Sequence, residues 1–124
     1  MDQSTLVSAG HALVTEMDKA GFRPRLAMWV HNTDADTWKL WLLPPAGKED
    51  KNEFYRVIVE IISKNREKFG DIDAADTQMV PENHAVVKGL KKFIRAPELS
   101  AISFSGNTFN GYYLPDGIIM RSDI

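Results

Sequence analysis

Three histidines, His11, His31 and His84, are the side chains best suited to acid–base or metal chemistry near neutral pH. None stands in an HExxH or comparable spacing, so no zinc site is legible. His31 closes an apolar run just ahead of Asp34 and Asp36, and an imidazole near carboxylates could serve as a general base. The plainer reading is a partly solvated histidine at a strand end. Asn32, Asp34 and Asp36 alternate like the first ligands of an EF-hand loop, but Thr37 and Leu43 stand where that loop needs glycine and glutamate. A polar hairpin loop fits better.

Other signatures are missing. Gly47-Lys48 lacks the rest of a phosphate-binding loop, no GxGxxG occurs, and Ser100, Ser103 and Ser105 have no GxSxG context. The absence of cysteine removes thiolate metal sites, disulfides and cysteine nucleophiles. No catalytic residue, metal ligand or cofactor is assigned from the sequence. The polar residues placed near turns, where functional side chains gather, are His31, Asp34, Asp36, Asn107, Asn110 and Asp116.

Two surfaces carry other chemistry. Lys88, Lys91, Lys92 and Arg95 fall at helical spacing and would line one face, where they could hold a phosphate group or an acidic partner. A solvated face, with cations favoured near a helix C-terminus by the dipole, is the plainer reading. Trp29, Trp38, Trp41, Tyr112 and Tyr113 all fall in extended segments. Alternation sets Trp38 opposite Trp41 and Tyr112 opposite Tyr113, so some rings should line a dimer interface or ligand cleft while the rest pack the core.

The elements that must position these residues follow from periodicity and turn chemistry. A helix is expected over Thr5–Ala20, and strands over Leu26–Asn32 and Thr37–Leu43 form a hairpin ended by Pro44-Pro45. A helix begins after Asp50 and runs to about Phe69; a short strand follows at Thr77–Val80. A third helix, Glu82–Arg95, turns Val86, Val87, Leu90, Phe93 and Ile94 inward. Strands over Ser100–Ser105, Thr108–Leu114 and Ile118–Arg121 are divided by Gly106-Asn107 and Pro115-Asp116-Gly117, with Asn110-Gly111 a competing turn. The order α-ββ-α-β-α-βββ predicts an α+β fold: one mostly antiparallel sheet of five to six strands with three helices on one face.

At 124 residues the chain suits a single domain able to fold without metal or disulfide. Its net charge of −2 gives no general basic excess, so nucleic-acid binding would have to rest on a local patch. The start, Met1-Asp2-Gln3-Ser4, lacks the character of a signal peptide, and no apolar run reaches the roughly 18 residues that span a bilayer. The expectation is a cytoplasmic protein with no membrane partner.

The tail from Ile102 to Asp116 resembles that of small uncharacterised bacterial proteins of the kind found on integron gene cassettes. The segment from Met17 to Pro45 is similar in style to their N-terminal part. The resemblance implies a bacterial accessory protein and assigns no activity. Three functions are therefore carried forward: a non-catalytic interaction domain, homodimeric through its sheet; a small-molecule enzyme or sensor with a pocket near the turns; and a nucleic-acid or phosphate binder using the basic helix face.

Overall fold

A computed structural model of the protein describes residues 2–124. Helix α1 (Gln3–Lys19) opens the chain and is capped by Asp2, whose carboxylate accepts the Thr5 N–H, so it begins slightly earlier than periodicity implies. Strands β1 (Leu26–Asn32) and β2 (Thr37–Leu43) form the expected hairpin with the expected bounds. The second helix breaks into α2 (Lys51–Lys64) and α3 (Arg66–Phe69). Asn65 causes the break: its amide donates to the Ile61 carbonyl and competes with the helical backbone there.

A 3-10 turn (Ala74–Asp76) leads into β3 (Thr77–Met79), and α4 (Ala85–Phe93) follows. Helix α4 is shorter than the periodicity predicts. His84 caps its start, Ile94 is already extended, and Arg95 therefore lies beyond it. Strands β4 (Ile102–Phe109) and β5 (Tyr112–Ser122) complete the sheet.

The strand order is β3-β2-β1-β5-β4, antiparallel except for β2 and β3, which run parallel across the crossover that α2 supplies. The sheet is thus five-stranded and mixed. The tail yields two strands where three were expected. Asn110 and Gly111 both take positive φ, 51° and 83°, so the competing turn is the one that forms.

The expected arrangement of helices on one face is also overturned, because both faces of the sheet are buried. Ala27, Trp29, Leu40 and Leu42 pack beneath α1, α2 and α3, whereas Leu26, Met28, Trp41 and Leu43 pack beneath Val86, Val87 and Leu90 of α4. The strand sequence LAMWV is continuously apolar, as a strand covered on both sides must be.

Gly106 and Pro115 shape the β4–β5 hairpin. Phe104 and Phe109 are an odd number of residues apart, yet both join the α4-side core, and so do Leu114 and Ile119. Each strand must therefore reverse its facing between them. Gly106, at φ 61°, is the residue in β4 that allows this. Pro115 lies past the end of the β1 ladder, which stops at Asp116, so its missing N–H costs that ladder nothing.

Candidate functional site

The register of the sheet sets Trp38, His31, Asp116 and Ser105 side by side across β2, β1, β5 and β4. The His31 and Trp38 rings stack, with centroids 4.6 Å apart. His31 Nε2 lies 2.9 Å from Asp36 Oδ1, Nδ1 lies 3.4 Å from Asp116 Oδ2, and the Ser105 hydroxyl donates to Asp116 Oδ1 at 3.0 Å. Asp36 reaches back because it takes a left-handed backbone conformation, φ 51°, while Asn32 Oδ1 accepts the N–H groups of Asp34 and Ala35. The Asp36 hydrogen bond, and after it Asp116, raises the His31 pKa above its ordinary value, against an opposing effect of burial.

This row lacks the geometry of a hydrolytic site. Ser105 bonds to Asp116 and not to the imidazole, so no nucleophile is paired with a base. Both ring nitrogens of His31 face carboxylates, leaving no free lone pair aimed at solvent. The two carboxylates lie at different ring nitrogens, and no group of three or more acidic or histidine side chains among the described residues could hold a metal ion. The other histidines are tied into structure. His11 Nε2 donates to the Ser100 carbonyl, and His84 Nδ1 accepts the Val86 N–H.

None of the remaining polar candidates hydrogen-bonds to the row. Asp34 meets it only in a cleft of about 420 Å³, which it lines with His31, Lys39, Gln78, Trp41, Tyr112 and Tyr113. Trp41, His84 and Tyr112 form a contiguous aromatic group there, with centroids 5.1–6.2 Å apart. Burial lowers the His84 pKa. Asn107 pairs with Leu114 in the hairpin, and Asn110 lines a separate hollow with Lys88, Gly89, Lys91 and Lys92. Arg95 does not share that hollow; it pairs with Asp123 at 3.1 Å.

The aromatic candidates divide. Trp29 is core, its indole N–H donating to the Leu6 carbonyl at 2.8 Å and clamping α1 to the sheet. Trp41 is buried, Trp38 is half-buried, and Tyr112 and Tyr113 are 42% and 60% exposed. Phe93, expected inward, is 63% exposed and rests edge-on against Phe109. It falls at the last position of α4, where the inward stripe ends. Of the four large apolar side chains exposed among the described residues, Phe93 thus sits at the end of α4 against β4, whereas Tyr112 and Tyr113 line the cleft beside Trp41.

The two edges of the sheet differ. On β3 the Met79 N–H donates to the Tyr55 hydroxyl, and α2 thereby caps that three-residue edge. On the far side, β4 runs for eight residues, ISFSGNTF, with no charge and no proline. Edge strands are ordinarily guarded by such residues. Here only the Gly106 irregularity interrupts the edge.

No helix among the described residues is long and apolar enough to cross a membrane. Comparison with protein-family models, curated proteins and solved structures gives no match.

Proposed function

We infer that this protein is a non-catalytic interaction domain that pairs with a second copy of itself along β4. The observation that carries the reading is the uncharged eight-residue edge of β4, with exposed Phe93 packed edge-on against Phe109 at its end. Strand addition satisfies edge N–H and C=O groups, and rings of this kind are enriched where proteins meet. Ser103, Ser105 and Thr108 are exposed along the edge, which leaves room for a partner strand. The engaged histidines favour a binding role over catalysis, and the absence of cysteine suits a cytoplasmic setting.

The test is to place lysine on the edge. Ser103→Lys with Thr108→Lys should convert a dimer to a monomer in size-exclusion chromatography with light scattering, with the circular dichroism spectrum retained. An unchanged dimer would remove β4 from the account.

A second reading has its own support. The cleft of about 420 Å³ beside Trp41 and Tyr112 falls within the roughly 300–1,000 Å³ typical of small-molecule sites. Its rim of Asp34, Lys39 and Gln78 offers both donors and acceptors. A small-molecule sensor is the function that cleft would serve, and ligand-induced resonance shifts confined to those residues are its test.

A further inference from the structure

The hollow between α4 and the β4–β5 turn is lined by Lys88, Gly89, Lys91, Lys92 and Asn110, and it measures about 550 Å³. Lys88, Lys91 and Lys92 stand at i, i+3 and i+4 and are all exposed. The ion pairs among the described residues engage other cations: Lys19, Arg23, Arg25, His31, Arg66, Lys68, Arg95 and Arg121. Three ammonium groups therefore share one hollow with no carboxylate in its lining, in a chain whose net charge is negative.

Gly89 fixes the shape of this hollow. A Cβ there would lie 2.8 Å from the Phe109 carbonyl carbon and 2.9 Å from the Asn110 nitrogen, so only glycine lets α4 lie against the turn. That contact brings Asn110 into the same lining as the lysines, adding a neutral polar residue to the three cations. The helix dipole accounts for cations near a helix C-terminus. It does not account for their convergence with Asn110 on a concave surface, where like charges at this spacing repel unless an anion joins them.

We propose that this hollow binds the phosphate chain of a small molecule, with Lys88, Lys91 and Lys92 neutralising the phosphates and Asn110 contacting an oxygen. Lysine acts as a mobile point charge toward phosphate, so the site selects charge density over a fixed geometry. The ligand class is a multiply charged phosphate ester or an inorganic polyphosphate. Because the hollow is separate from the β4 edge strand, this proposal does not depend on self-association.

Titration of the full chain with inorganic tripolyphosphate, followed by calorimetry and by amide resonances, tests it. Binding should weaken as salt is raised and should move the resonances of Gly89, Lys92 and Asn110. The triple variant Lys88→Gln, Lys91→Gln, Lys92→Gln should bind at least about tenfold more weakly. Lys51→Gln with Lys64→Gln, exposed lysines on α2, should bind as the wild type does. A nucleoside triphosphate matching tripolyphosphate marks the phosphate chain as the recognised part; tighter binding adds a base contact, and both results support the site. Three results overturn the proposal: no tripolyphosphate binding, equal loss in the α2 variant, or binding of an oligonucleotide without tripolyphosphate.

Discussion

His31 and Trp38 face one another across the β1–β2 hairpin with their rings stacked 4.6 Å apart and inclined by 18°. The stack holds the imidazole in the plane where Asp36 and Asp116 can each meet one of its nitrogens. A protonated ring donates to both carboxylates, whereas a neutral ring can donate to only one. The folded-state pKa is therefore raised, and the contribution to stability is fully present below the unfolded value near 6.5. It is lost as pH rises through the folded value. The thermal midpoint of the wild type, measured relative to His31→Gln, should fall over that window. Asp36→Asn should reduce the fall, and a His31 titration midpoint at or below 6.5 would contradict this assignment.

His84 should titrate the other way. Burial lowers its pKa, and Nδ1 accepts the Val86 N–H, so the neutral ring is the form the fold accommodates. Its contribution is present above the unfolded value near 6.5 and is lost as pH falls through the lower folded value. His84→Ala removes both the cap and the ring beside Trp41 and Tyr112, and it should cost about 1–3 kcal/mol in urea unfolding. His84→Asn retains a capping acceptor and should cost less.

Arg121 is buried and donates through two nitrogens to both oxygens of Asp18, at 2.8 and 2.9 Å, with further bonds to the Pro24 and Pro97 carbonyls. This pair joins the last strand to the first helix. Asp18→Ala leaves the guanidinium without its counter-charge and should cost about 3 kcal/mol, the low end for a broken buried pair, because Asp18 keeps some solvent contact. Denaturant unfolding measures it. A loss within experimental error would mean that the carbonyl bonds alone satisfy the arginine.

Gly10 is where α1 touches the sheet. A Cβ there would sit 2.5 Å from Met120 Cε and 2.8 Å from Trp29 Nε1. The methionine end can move, but the indole is held by its bond to Leu6. Gly10→Ala should therefore lower stability by about 1–3 kcal/mol despite its better helix propensity. An increase in stability would show that the indole yields.

The β1–β2 hairpin was legible because two apolar runs flank a loop of turn-forming residues, and both the bounds and the opposite facing of Trp38 and Trp41 follow from local pattern. The tail was harder. Gly106 and Pro115 look like turn residues, yet they lie inside strands, where they reverse the facing of the hairpin. Which face α4 covers depends on how it packs, which its own amphipathic pattern does not encode. The ladder row of Ser105, Asp116, His31 and Trp38 is a matter of register between distant strands; its members could be suspected singly but not assembled. Arg95 shows the same limit, since it continues the lysine spacing although α4 has already ended.

Self-association along β4 is tested most directly by sedimentation velocity of the wild-type chain over a wide concentration range. A reversible dimer that Ser103→Lys with Thr108→Lys abolishes is the expected result. A strict monomer at every concentration would contradict it.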